Sequence, residues 1–101
     1  MTNIILRQLI LAFQEIRSIS DKEIFLKTIL SYQEIDQIPK RLEILKRLYL
    51  GQPQDKILKE LHVSKETISR GSNVFKLLQE ESPRWWNIFK TRVRSWNREK
   101  I

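Results

Sequence analysis

Ser64 opens the stretch that most constrains this chain. The residues after it, Lys65-Glu66-Thr67-Ile68-Ser69-Arg70-Gly71-Ser72-Asn73, are short polar or cationic side chains interrupted by one large aliphatic residue. A serine hydroxyl caps the open backbone N–H groups at a helix start, so a helix is predicted over about residues 64–78. Ile68, Phe75 and Leu78 fall on one side of it and would anchor it to a core. Lys65, Glu66, Thr67, Ser69, Arg70, Ser72 and Asn73 fall on the other faces. A buried helix would not be so polar, and a fully solvated one would need no apolar anchors. Upstream, Pro53 opens a shorter helix over about 53–61, with Ile57, Leu58 and Leu61 inward and His62-Val63 as the turn. A short helix, a tight turn and a second helix with a polar outer face have the proportions of a helix-turn-helix.

The rest of the chain also reads as helix. Two Gly and three Pro in 101 residues, with abundant Leu, Ile, Lys, Glu, Gln and Arg, favour helices over strands. The first helix is expected over about 3–18, where Ile5, Leu9, Ala12, Phe13 and Ile16 recur at helical spacing. Ile4, Leu6, Ile10 and Leu11 widen that stripe beyond what one small subunit can hide, which points to a contact between subunits. Ser20 or Asp21 is expected to cap a second helix with Ile24, Phe25, Leu26, Ile29 and Leu30 inward. Ser31 and Glu34 form a capping-box pattern for a short third helix anchored by Ile35 and Ile38. Pro39 suits the first turn of a fourth, Lys40 to Leu50, with Leu42, Leu45, Leu48 and Tyr49 inward and Gly51 as the left-handed end. Ser82-Pro83 starts a last helix over 84–98. The expected organisation is one all-α domain, 1–101: core and dimerisation helices over 1–50, the helix-turn-helix over 53–78, and a basic amphipathic helix over 83–98.

The net charge is +7, and it is placed unevenly. Residues 1–38 carry four Lys/Arg against five Asp/Glu, whereas residues 84–101 carry six against one. The basic two-thirds of the chain is the expected contact surface for a polyanion. No cysteine is present, so disulfide and thiolate chemistry are excluded. No apolar run approaches the roughly 18 residues of a membrane span, and no signal peptide is expected.

Short polar and cationic side chains on an exposed helix suit base edges and phosphates. Lys65 can reach guanine or phosphate, and Glu66 can accept from cytosine N4. Glu66 in a first turn also complements the helix dipole with no DNA at all. Thr67 and Ser69 suit water-mediated contacts. Lys56 and Lys59 on the preceding helix are phosphate candidates or solvated charges. His62 has no second histidine or cysteine for a metal site and reads as a turn residue. No phosphate loop or nucleophile–base pattern occurs, so catalysis is not expected.

The run Lys40-Arg41-Leu42-Glu43-Ile44-Leu45, the helix ending at Gly51, and Ile68-Ser69-Arg70-Gly71-Ser72-Asn73 resemble the Trp repressor family and its Trp-repressor-like relatives, over about residues 24–78. The resemblance implies an intertwined homodimer in the cytoplasm of a bacterial-type cell, at the nucleoid. Helix 64–78 would sit in the major groove of double-stranded DNA at a palindromic operator. It further implies a pocket for L-tryptophan as corepressor, in which Arg41, Thr67, Arg70 and Gly71 fall at ligand positions. A planar guanidinium can stack on an indole and pair with a carboxylate. Val74 stands where the repressor has a serine beside the ligand's amino group, so another small ligand or none is left as an alternative. The implied activity is sequence-specific transcriptional regulation, by repression.

The C-terminal segment is less guided by the family. Trp85, Phe89, Val93 and Trp96 form a stripe at spacings of 4, 4 and 3, surrounded by Arg84, Lys90, Arg92, Arg94, Arg98 and Lys100. Dimer packing, auxiliary contact with the DNA backbone, and docking on a protein partner or anionic membrane are its three readings. The last of these, with a helix-turn-helix in form only, is the rival to DNA regulation for the whole chain.

Overall fold

A computed structural model describes residues 2–98, and within that range the side chains of Thr2, Asn97 and Arg98 are not described. The described residues form six α-helices and a terminal 3-10 helix, with no strand: α1 (Thr2–Glu15), α2 (Ile19–Ile29), α3 (Tyr32–Tyr49), α4 (Gln54–Leu61), α5 (Lys65–Glu81), α6 (Pro83–Arg92) and η1 (Val93–Arg98). The all-α expectation holds. The chain divides into two compact units, residues 1–38 and 39–101.

In the first unit, α2 begins earlier than expected. Its cap is Ser18, not Ser20 or Asp21; the Ser18 hydroxyl accepts from the Asp21 N–H at 3.0 Å. This places Asp21 inside the first turn, where a carboxylate complements the positive end of the helix. Phe13 and Phe25 meet at 6.3 Å between ring centroids. Lys22 donates to the Phe13 carbonyl at 2.6 Å, and its ammonium lies over the Phe13 ring. Ile24 and Ile29, expected inward, are exposed, and α2 buries no residue. The capping box forms as expected: Ser31 N–H donates to Glu34 Oε1 at 2.8 Å, and Glu34 N–H donates to Ser31 Oγ at 3.1 Å. These bonds, the backbone one first, hold the Glu34 carboxyl below its usual value.

The separate third and fourth helices of the sequence reading are one helix, α3, with Pro39 inside it. Proline removes one N–H and so one intrahelical bond, to the carbonyl four residues back. The turn nucleated at Ser31 continues through that gap. A sequence reading sees the proline as a start because it cannot weigh one lost bond against the packing that follows.

In the second unit, Ile44 on α3, Ile57 on α4 and Ile68 on α5 are fully buried against one another, with Leu48, Leu58, Leu61 and Val63 packed around them. Burying an aliphatic side chain of this size stabilises by about 1.5–3 kcal/mol. Leu42, expected inward, is exposed. A second cluster is aromatic. Phe89 is buried, and its ring lies edge-on to Tyr49 at 5.7 Å and Phe75 at 5.7 Å, and stacks with Trp86 at 6.0 Å. Edge-to-face pairs at these distances add to simple burial. Val93 is fully buried as well. The last α-helix ends at Arg92 rather than running to 98, and the chain tightens into η1. Lys100 lies outside the described residues.

Candidate nucleic-acid interface

Helices α4 and α5 are joined by a turn whose geometry is specified locally. His62 adopts the left-handed conformation, φ 56° and ψ 48°, and its N–H donates to the Leu58 carbonyl. Left-handed backbone is costly for most side chains, so the turn is held by what surrounds it. Val63 follows and packs into the isoleucine cluster. Ser64 then caps α5, accepting from the Thr67 N–H at 3.1 Å. The sequence placed both the turn and the cap correctly.

Ile68 is fully buried, and Phe75 and Leu78 are half-buried, so α5 is anchored along the side the sequence indicated. Gly71 sits on the same side. An added Cβ there would lie 2.9 Å from Ile44 Cγ2, so glycine sets how closely α5 can approach α3. The opposite side presents Lys65, Glu66, Ser69, Arg70 and Asn73, all exposed. Lys65, Ser69 and Asn73 recur every four residues and share one face. Ser72 is half-buried at its edge. Thr67 is also half-buried, and its hydroxyl is within hydrogen-bond distance of Ser64 Oγ at 2.8 Å, so it is engaged with the cap.

Lys56 and Lys59 on α4 are exposed, and Lys56 lies 4.0 Å from Glu60. Arg41 is exposed on α3, about one turn before Ile44. Arg70 is exposed on α5, beside the Gly71 that meets Ile44.

Sequence reasoning missed an ion network that ties α3 to α4. Glu43 pairs with Lys46 at 2.6 Å and with Arg47 at 2.7 Å, and Arg47 reaches Glu60 on α4 at 3.6 Å. Partial burial alone would raise the Glu43 carboxyl, but the hydrogen bonds and charges of Lys46 and Arg47 outweigh it and hold the group below its usual value. The i,i+3 and i,i+4 spacings were visible; the cross-helix link to Glu60 was not.

Among the described residues no cluster of His, Cys, Asp or Glu could hold a metal ion, and no helix is long and apolar enough to cross a membrane. No curated protein and no solved structure matches the chain significantly. Residues 5–89 match the family model described as Trp repressor protein. That match spans the ion network, the buried isoleucines, the left-handed turn and the capped polar helix alike, and with it the chain belongs to the Trp repressor family, whose members are DNA-binding transcriptional regulators and not enzymes.

Proposed function

We propose that the protein is a homodimeric repressor that reads a palindromic operator in double-stranded DNA through α5 and acts by occupying a promoter. The observation that carries this reading is the two-sided character of α5: Ile68 and Gly71 fix it to α3 and α4, while Lys65, Glu66, Ser69, Arg70 and Asn73 stand exposed together. Side chains that reach base edges specify sequence, and cations on the flanking helix hold register through phosphates. In this reading Lys65 and Arg70 take guanine or phosphate and Glu66 takes cytosine. Lys56 and Lys59 take backbone phosphates, and Ser69, Ser72, Asn73 and Thr67 complete the polar surface.

The homodimer is supported by α1. Ile4, Leu6, Ile10 and Leu11 are each more than half exposed, on a helix whose one cation is Arg7. Contiguous apolar surface of this kind marks an interface. For ligand control, Arg41 and Arg70 have the chemistry to stack on an aromatic ring and pair with a carboxylate, and Thr67 and Gly71 fall at positions the resemblance assigns to the pocket. Val74 offers an ammonium no acceptor, which costs about 1–3 kcal/mol if nothing replaces it. L-tryptophan is the ligand the test offers, and another small ligand or none are the alternatives to it.

That test is fluorescence-anisotropy titration of DNA from upstream of the protein's own gene against random DNA, with and without L-tryptophan, at two salt concentrations. Preference for the upstream DNA that tightens with L-tryptophan supports a corepressor. The same preference without a tryptophan effect keeps the regulator and removes that ligand. Equal affinity for every sequence contradicts sequence-specific reading.

A further inference from the structure

We propose that the outward face of α6 and η1 is a second DNA-backbone surface, separate from the helix α5 that reads the bases; this rests on the DNA-binding reading above. From Ser82 to Arg98 the sequence contains no Asp or Glu. Arg84, Lys90, Arg92 and Arg94 are all exposed. Among the described residues none of the four has a carboxylate partner; Lys90 instead lies 5.9 Å from the centroid of the Trp86 ring. Elsewhere in this unit Lys46 and Arg47 pair with Glu43, and Arg47 and Lys56 lie within 4.0 Å of Glu60. Unmatched cations crowded on one short element repel one another, and a polyanion relieves that repulsion.

What the apolar side of α6 is doing decides between a phosphate backbone and a lipid surface. A membrane-bound amphipathic helix must free its apolar face for the acyl boundary. Here Phe89 is buried and Trp86 half-buried, both packed on Tyr49 and Phe75 of the same unit, and Val93 is buried as well. The middle of the stripe, Phe89 and Val93, is therefore committed to the interior, whereas its ends, Trp85 and Trp96, are exposed. Outward stand the four cations with Asn87 and Thr91, and among them Trp85, Ile88 and Trp96, each about two-fifths exposed. Arginine is well suited to phosphate oxygens because its planar fork can donate two parallel hydrogen bonds. Since α6 and α5 share the aromatic cluster, a backbone contact made by one is transmitted to the placement of the other.

The test compares the full-length protein with a variant carrying Arg84→Gln, Arg92→Gln and Arg94→Gln together. A charge-matched control carries Arg7→Gln, Arg17→Gln and Lys27→Gln in the other unit. Retained tryptophan fluorescence shows that the aromatic cluster still packs. The logarithm of affinity for duplex DNA falls linearly with the logarithm of salt, with a slope of about 0.9 per phosphate neutralised. If the three arginines reach phosphates, the slope becomes shallower by up to about 2.7 per subunit, about 5.4 for a bound homodimer, on specific and random DNA alike, while the control keeps the wild-type slope. Lengthening the duplex distinguishes the source: tightening with flanking length places the contact on the same duplex, and capture of a second labelled duplex places it on another.

A wild-type slope in the arginine variant overturns the proposal and leaves the reading by α5 standing. An equal change in the control also overturns it, because the effect is then one of net charge. Binding of the wild type to anionic vesicles, lost in the variant with the DNA slope unchanged, assigns the face to lipid instead. No DNA binding by the wild type at all removes the DNA-binding reading and this proposal together.

Discussion

Gly71 and Ile44 are a matched pair: a methyl group on the first would stand 2.9 Å from Cγ2 of the second. That separation is shorter than real side-chain carbons tolerate, so the distance between α5 and α3 is set by the missing side chain. Gly71→Ala gains about 1 kcal/mol of helix propensity but overpacks the core by about 1–3 kcal/mol. Urea unfolding should show net destabilisation. In an Ile44→Ala background the clash is gone, and the same change should become neutral or stabilising. Stabilisation of the wild-type protein by Gly71→Ala would mean that the two helices separate freely.

Lys65→Ala should weaken binding to a specific site by about 1–3 kcal/mol if Lys65 reads a base. The loss should be smaller on random DNA. Equal losses on both would make Lys65 a phosphate contact. Circular dichroism should be unchanged, because Lys65 is exposed and takes no part in the cap.

The Glu43 network makes stability depend on acid. Its carboxyl is held below the usual value of 4.5 in the folded protein. The unfolded chain therefore binds that proton more tightly, and the stabilisation is present in full above the unfolded value and lost as pH falls through the folded one. Glu43→Gln should lower stability at neutral pH and flatten the decline on the acid side. Urea midpoints measured through the acid range check this; a decline as steep as in the wild type would assign it to other carboxylates. Glu34, also lowered, contributes a decline of the same sign.

Deletion of residues 1–18 should yield a chain that sediments as a monomer at micromolar concentration. It removes α1 with its exposed Ile4, Leu6, Ile10 and Leu11, and also the Ser18 cap of α2. A truncated protein that stays dimeric would place the subunit contact elsewhere.

Much of this was legible in the sequence where the signal is local. Ser64, Gly51, the His62-Val63 turn, the Ser31–Glu34 box and Ser82-Pro83 mark boundaries through hydrogen bonds or backbone preferences that span three or four residues, and the structure places them as read. Ser18 lost to Ser20 and Asp21 in the reading because three good caps lie within four residues and only packing chooses among them. Pro39 misled for the opposite reason: a strong local preference was overridden by the helix around it. At the candidate interface, the exposed residues of α5 were legible from their pattern. The engagement of the Thr67 hydroxyl by Ser64, and the reach of Arg47 to Glu60, depend on rotamers and on two helices meeting, which no spacing in one strand of sequence encodes.

Among the described residues the five buried hydrophobic ones, Ile44, Ile57, Ile68, Phe89 and Val93, all belong to the unit that begins at Pro39. Helices α1 and α2 rest on half-buried contacts, one cap and one lysine. The buried contact of the described residues is therefore concentrated in the unit from Pro39 on. Backbone amides should exchange with solvent on two clocks, slowly around the isoleucine and aromatic clusters and quickly over the first two helices, because opening energy follows buried contact. One free energy of unfolding would describe half the molecule, and the slow clock is the one that keeps α5 in shape.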